Sequence, residues 1–321
     1  MTTAVRIHAP GGPDALSVDE VPLSAPGPGQ LLVETSAVGV NFIDVYHRTG
    51  MYPLPLPATL GLEAAGVVTT VGEDVTRFAA GDRVVWPMQS ASYATHVVVN
   101  ADSVVAVPDD VDLRLAAASA LQGMTAHFLA TSIVPLGEGD SALVHAGAGG
   151  VGLLLTQLLH AKGVRVLTTV GSTEKAELSR AAGASAVFGY DDFATAARAA
   201  TDGDGVRAVF DGVGASTFDG SLDALGVRGA MILFGAASGK VPPIDPQVLN
   251  AKGSLLLTRP SLGHFIGSPE ELAWRAAEVY AAIADGTLDI RIGAEFALTD
   301  AADAHRALEG RQTTGKVLLI P

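Results

Sequence analysis

Val144-His145-Ala146-Gly147-Ala148-Gly149-Gly150-Val151-Gly152 is the stretch that decides the fold. Glycines 147, 149 and 152 spell G-x-G-x-x-G between two segments of different texture. Residues 142–146 before it read as an apolar strand, and 150–161 after it read as a helix ended by Lys162-Gly163. At such a junction the backbone turns sharply, approaches a pyrophosphate closely and offers helix N-terminal amides to negative charge. Gly147, Gly149, Gly150, Val151 and Gly152 are therefore candidate phosphate-binding residues. Glycine-rich turns abound in α/β proteins, so it is the strand–loop–helix context that points to a nucleotide.

The alternation continues outward from this loop. Strand 164–170 precedes helix 174–182, which Gly183 closes, and strand 186–188 precedes a helix near 192–200. Strand 206–210, a helix around 217–225, strand 230–234 and a further strand at 254–257 complete the series. Regular β-then-α alternation predicts a parallel sheet covered on both faces, doubly wound by right-handed crossovers. The tip of strand 164–170 discriminates between cofactors. A free ribose 2′-hydroxyl usually meets an acid about 20 residues after the glycine loop. Here Gly171 holds that place, and the first acid, Glu174, comes later. Hydroxyls on Ser172 and Thr173 suit a 2′-phosphate with Lys175 as counter-charge, which favours NADPH over NADH. The plain alternative makes Ser172 or Thr173 a helix cap and Lys175 a solvated lysine.

Upstream, to about residue 120, the chain is rich in valine, glycine and proline. Short alternating runs at 31–35, 66–71, 82–86 and 94–99 are separated by turns such as Pro26-Gly27-Pro28-Gly29. That spacing predicts a compact, mostly β unit. Beyond Pro260, a helix at 269–284, another at 301–309 and a strand at 317–320 make a piece too short to stand alone. We expect it to return to the β unit, giving 1–122 and 261–321 as one domain and 123–260 as an inserted cofactor domain. The 321 residues are enough for two such cores.

Thirty-four acidic against 20 basic side chains give a formal net charge of −14, with no basic run, so nucleic acid is not an expected partner. The absence of cysteine removes disulfides, thiolate nucleophiles and cysteine-ligated metal sites. The uncharged stretch 141–161 is long enough to raise a membrane question, but its glycines, His145, Gln157 and His160 fit strand, turn and helix better. No sorting signal is readable, and the expected location is the cytoplasm. Eight histidines are scattered without an i, i+4 pair, and none is assigned to metal or triad chemistry. His145 stands out only because it adjoins the phosphate loop.

Other segments add specificity. They include Val40-Asn41-Phe42-Ile43-Asp44-Val45-Tyr46, Tyr52-Pro53, Leu60-Gly61-Leu62-Glu63-Ala64-Ala65-Gly66 and Ala80-Gly81-Asp82-Arg83-Val84. Gly235-Ala236-Ala237-Ser238-Gly239, Thr258-Arg259-Pro260-Ser261-Leu262 and Leu318-Leu319-Ile320-Pro321 extend the set. Over essentially its whole length the chain resembles the zinc-independent, zeta-crystallin-like quinone oxidoreductases of the medium-chain dehydrogenase/reductase superfamily. His160 departs from the family signature. The resemblance implies a doubly wound Rossmann domain for NADPH inserted into a mostly β, GroES-like catalytic domain. It also implies a homodimer joined through the cofactor domain, where strand 254–257 would pair with its twin.

The resemblance also implies roles for single residues. Zinc-dependent relatives place cysteines near Asn41 and Gln122 and a histidine before the glutamate matching Glu63; this chain has Asn41, Leu62-Glu63 and Gln122, so no metal is expected. Asn41 and Tyr46 belong to a segment that lines the nicotinamide end of the cleft in the family. Tyr52 is a hydrogen-bond donor to a carbonyl-like oxygen, and Gln122 adds a polar contact. The alternative for both tyrosines is a core aromatic with a satisfied hydroxyl, and for Asn41 a turn residue. Tyr190 joins Gly171, Ser172 and Lys175 around the adenosine phosphate, and Phe234, Gly235 and Ser238 lie near the nicotinamide ribose. Lys316 is either a phosphate or ribose ligand or an ordinary strand-edge lysine.

Without a metal, alcohol oxidation lacks its Lewis acid, whereas a quinone accepts hydride readily. Quinone reduction is thus the leading expectation. Reduction of an alkenal, enone or enoyl thioester is the close rival, and a protein that binds NADPH without turnover is the third reading.

Overall fold

The computed structural model describes residues 1–321. The chain divides into two compact units, residues 1–124 with 266–280 and 290–321, and residues 125–265 with 281–289. The first unit begins with β1 (Thr2–Ile7), β2 (Leu16–Val21), the long β3 (Gln30–Val40) and helix α1 (Phe42–Arg48). Strands β4 (Ala58–Thr59), β5 (Ala64–Val71), β6 (Arg83–Trp86), β7 (His96–Asn100) and β8 (Val105–Ala106) follow. Helix α2 (Leu113–Thr131) contains the division at 124/125.

The second unit alternates as its sequence predicts: β9 (Ser141–Val144), α3 (Gly150–Ala161), β10 (Arg165–Thr169), α4 (Thr173–Ala181) and β11 (Ala186–Phe188). Then come α5 (Phe193–Ala199), β12 (Val206–Asp211), α6 (Phe218–Ala224), β13 (Leu225–Leu233), α7 (Gln247–Ala251) and β14 (Leu256–Thr258). The last segment holds α8 (Pro269–Ala284), β15 (Ile292–Ala297), α9 (Ala301–Glu309) and β16 (Lys316–Ile320).

In the second unit the strand order is β11-β10-β9-β12-β13-β14, and every pairing is parallel. The doubly wound reading therefore holds. The order reverses at β9, which has β10 on one side and β12 on the other, so the carboxyl ends of β9 and β12 form the switch point where such sheets bind ligands. The core is Leu143, Leu167, Val209, Met231 and their helical neighbours Phe218 and Leu222. Strand β13 starts at Leu225, earlier than expected, because α6 ends at Ala224 and the strand joins β12 through a register irregularity. The uncharged stretch 141–161 resolves into β9, the loop and α3, and no helix is long and apolar enough to cross a membrane.

The first unit is mostly β. Seven strands form one sheet in the order β15-β16-β3-β5-β6-β8, with β7 also on β3, and β2-β1-β4 form a smaller one. β3 is the spine: it pairs with β5, β7 and β16, all antiparallel. Its first half alternates buried and exposed residues, whereas Ala37, Val38 and Val40 are buried where β16 and β5 flank it. β16 thus returns the chain's last strand to the larger sheet, beside β3. Helix α2 was not foreseen, because Ala116–Ala118, Ala120, Met124, Phe128 and Leu129 bury its circumference and leave no polar stripe to mark its period. β15 was missed as well; its alternation is of half-buried and exposed residues, so its apolar face is faint.

Candidate active site

Strand register in the first unit gathers four polar residues. Val317 stands opposite Val40 and Val38 opposite Ala64, so continuing each ladder brings Lys316 beside Asn41 and Glu63 beside Gly39. Lys316 and Glu63 are both fully buried and form an ion pair. Asn41 Nδ2 donates to Glu63 Oε2 at 2.9 Å, and Asn41 Oδ1 accepts from Lys316 Nζ at 3.0 Å and from Gln122 Nε2 at 3.2 Å. The backbone N–H of Leu121 donates to Glu63 Oε1 at 2.5 Å. Gly39 makes room for this cluster: a Cβ there would lie 2.0 Å from Glu63 Oε2 and 2.7 Å from Lys316 Cε. Buried charges survive only when paired and hydrogen-bonded, and here both conditions are met. Gln122 Oε1 is buried without a partner, an acceptor that a donor on a bound molecule would satisfy.

A second buried chain fixes the start of α1. Asp44 Oδ2 accepts from the Asn41 N–H at 2.8 Å and from the Tyr93 hydroxyl at 3.0 Å. Tyr93 Oη lies 3.1 Å from His305 Nε2, and His305 Nδ1 is 3.0 Å from Arg48 Nη1. Arg48 can only donate, so Nδ1 accepts and Nε2 carries the imidazole proton. Arg48 also grips Glu309 with two bonds at 2.8 and 2.9 Å. Burial pushes the Asp44 carboxyl up to about 7, while backbone and Tyr93 hydrogen bonds oppose the shift. Burial, reinforced by Arg48, lowers His305 to about 3. The two chains meet at Asn41, whose side chain and backbone are thereby both held.

Asn41, Gln122 and Lys316 are thus brought together, and Glu63 joins them. Tyr46 and Tyr52 pair edge to face, ring centroids 5.3 Å apart, with Tyr46 buried and Tyr52 half-buried. Lys316 is neither a strand-edge lysine nor extended toward a phosphate: its ammonium is buried on Glu63 and Asn41.

In the second unit the glycine loop has the form its spacing predicts. A Cβ on Gly152 would meet Ala146 O at 2.2 Å, and one on Gly147 would meet Thr168 Cβ at 2.6 Å, so the loop packs too closely against α3 and β10 for side chains. Around Gly171 nothing lies within 4 Å of a Cβ. Ser172 caps α4, its Oγ accepting from the Lys175 N–H at 3.3 Å, and Ser172 and Thr173 are exposed. The capped end of α4 thus presents amides and hydroxyls together. Tyr190 stacks on His145, centroids 6.2 Å apart. Phe234 lies against Gly212, and Gly235 packs on the Gly212 carbonyl so tightly that a Cβ would come within 2.3 Å. Ser238 Oγ bonds Val213 O at 2.8 Å and accepts from the Ser216 N–H at 3.0 Å. A dinucleotide fits this cradle: the loop is open to the close backbone approach that a pyrophosphate needs.

Comparison with known proteins gives the same assignment. Residues 27–109 match the alcohol dehydrogenase GroES-like domain, and 150–281 match the family described as zinc-binding dehydrogenase. A quinone oxidoreductase of Pseudomonas aeruginosa is 41% identical over the full length of both chains. The chain belongs to the zinc-independent quinone oxidoreductase family of the medium-chain dehydrogenase/reductases. A 2-haloacrylate reductase of a Burkholderia species is 38% identical, covering 100% of this chain and 99% of that one. A mycobacterial protein solved in complex with NADPH superposes with a TM-score of 0.97 at 49% identity, covering 99% of this chain and 100% of that one.

Zinc, which one family description implies, does not suit the residues present. Glu63 is engaged by an ammonium, Asn41 and a backbone amide, and no group of three or more His, Asp or Glu stands ready to hold a metal. Sequence reasoning missed Gly39, Arg48, Tyr93 and His305 of this quinone oxidoreductase, which carry no spacing signal, and Asp44, which does. Asp44 was visible in the quoted motif, and its position three residues after Asn41 suits a carboxylate that closes a helix start.

Two outcomes follow from these buried groups. Lys316→Met leaves Glu63 buried and uncompensated, so denaturant titration will show a loss of about 3–5 kcal/mol, most of which Lys316→Met combined with Glu63→Gln restores. The second concerns acid. Burial also lowers His145, to about 4, so below about 6.5 the unfolded chain binds two histidine protons that the native chain refuses. Asp44 acts oppositely, because between its ordinary 3.8 and about 7 the native chain holds a proton that the unfolded chain releases. Two protons against one make stability fall as pH drops from about 6.5 to 4.5, seen as a falling melting temperature. Asp44→Asn removes the opposing proton and steepens the fall.

Proposed function

We propose that the protein reduces quinones with NADPH, without a metal. The observation that carries this reading is the buried Lys316–Glu63–Asn41 cluster, where an internal ammonium already compensates the carboxylate. A site built this way polarises a substrate through fixed donors, so it suits an acceptor that is itself a ready electron sink. Bound NADPH would supply the hydride, and one proton from solvent would complete the hydroquinone. Asn41, held on both its faces, keeps its amide fixed. The Tyr46–Tyr52 pair offers aromatic edges that suit a flat ring. On the cofactor side, open space at Gly171 with the Ser172 hydroxyl and Lys175 next to it favours a 2′-phosphate.

The relative that reduces 2-haloacrylate supports a second reading, the reduction of a double bond conjugated to a carbonyl. We further propose a homodimer through the cofactor unit. β14 is an open edge of its sheet, and Val227, Leu256 and Leu257 on and beside it are 76%, 60% and 36% exposed. Exposed apolar edges of this kind are usually covered.

The purified protein is expected to oxidise NADPH much faster than NADH with an ortho-quinone, and faster than with a small enal. Turnover confined to the enal would select the second reading. Gly171→Asp, which places a carboxylate where a 2′-phosphate would sit, should shift the NADPH-over-NADH preference toward NADH by about tenfold or more. Sedimentation at micromolar concentration should show a dimer that Leu256→Glu dissociates; a wild-type monomer would rule that assembly out.

A further inference from the structure

One buried titratable group in the second unit has no part in the roles above. His145 follows β9 directly and leads into the glycine loop, and it is 1% exposed. Its Nδ1 lies 2.8 Å from Thr169 Oγ1 and its Nε2 lies 2.9 Å from Ser221 Oγ. The Ser221 hydroxyl donates to Asp211 Oδ2 at 2.9 Å. Its oxygen is therefore the acceptor for His145, which carries its proton on Nε2, and Nδ1 accepts from Thr169. The ring stacks on Tyr190 and meets Phe193 edge-on at 4.7 Å.

The two nitrogens reach the ends of two strands, Thr169 of β10 directly and Asp211 of β12 through Ser221 of α6. Thr169 ends β10; its carbonyl accepts the Gly147 N–H at 2.9 Å, and the chain runs on through Val170 to Gly171 and Ser172. Asp211 ends β12 and accepts the N–H groups of Val213 and Gly214 at 2.7 and 2.9 Å and the Thr217 hydroxyl at 2.7 Å. The loop it shapes carries the next segment, because the Ser238 N–H donates to Val213 O at 2.7 Å and the Ala237 N–H to Gly212 O at 3.2 Å. A phenyl ring would fill the same space against Tyr190 and Phe193 without the cost of burying two polar nitrogens. What only the imidazole supplies is the link from Thr169 to Ser221 and Asp211.

We propose that His145 is a positioning residue that holds the 2′-phosphate loop and the nicotinamide-side loop in register, so that NADPH is gripped at both ends at once. The inference rests on the reading of the second unit as an NADPH site. Losing the imidazole removes the side-chain tie between the two loops, leaving the backbone bonds of His145 N–H to Phe210 O and Gly147 N–H to Thr169 O, and leaves the buried hydroxyls of Thr169 and Ser221 short of a partner.

The test uses full-length His145→Phe, His145→Gln, Thr169→Val and Ser221→Ala, titrated calorimetrically with NADPH and NADH and assayed with an ortho-quinone. Thr169→Val removes the tie on the 2′-phosphate side, so its loss falls chiefly on the NADPH-over-NADH affinity ratio. Ser221→Ala acts on the other side, and its loss falls chiefly on kcat at saturating NADPH. His145→Phe shows both, each by about tenfold, the scale of a lost buried hydrogen bond. His145→Gln keeps a donor toward Ser221 and regains kcat but not the ratio. If packing were the only role, the variants would melt earlier while the folded protein kept the wild-type ratio and kcat, and the proposal would be overturned. Should His145→Phe not fold, Thr169→Val and Ser221→Ala decide by the same criteria. A wild-type protein that binds neither dinucleotide would sink the NADPH reading itself, and this inference with it.

Discussion

The pairing of Lys316 with Glu63 is the constraint on which the first unit depends. Two opposite charges with no access to water are tolerable only if each is fully hydrogen-bonded, and the surrounding residues are arranged to meet that condition. Gly39 leaves the space, the Leu121 amide takes the second carboxylate oxygen, and Asn41 bridges carboxylate and ammonium. The strands supply the register: β16 must lie antiparallel to β3, and β3 to β5, for the three residues to meet. Function follows from the same condition. A carboxylate neutralised from within the chain does not call for a divalent cation, so the chemistry passes to an acceptor that needs little polarisation.

The second unit solves a different problem, that of bringing backbone close to a polyanion. Its answer is steric rather than ionic. Gly147 and Gly152 are required because the loop after β9 packs against β10 and α3 with no room for a methyl group, whereas Gly171 is surrounded by open space. The first two are fixed by packing, whereas the third leaves empty the space a side chain would occupy. A single residue type thus has two unrelated reasons, distinguishable only by what stands around it.

Much of this was legible in the sequence because it is written in local order. The G-x-G-x-x-G loop lies between a strand and a helix, and the helices Gly150–Ala161, Pro269–Ala284 and Ala301–Glu309 carry their period and stops within a few residues. Gly171 and Ser172 could be proposed because a cofactor-discriminating position is expected at a set distance from the loop. What was not legible is made by sheet register across long separations. Lys316 lies 253 residues from Glu63, and Arg48 lies 257 from His305, so no spacing rule links them. Lys316 read either as a phosphate or ribose ligand or as an edge lysine, because nothing nearby indicated that its ammonium would be buried on Glu63. Helix α2 was hidden for the opposite reason, being buried on nearly every side.

The most direct test of the account is the rate of NADPH oxidation with an ortho-quinone after exhaustive chelation, measured alongside the metal content of the same sample. The account predicts the full rate from protein stripped of transition metals, with no gain on adding zinc. Loss of the activity on chelation and its return with zinc would contradict it.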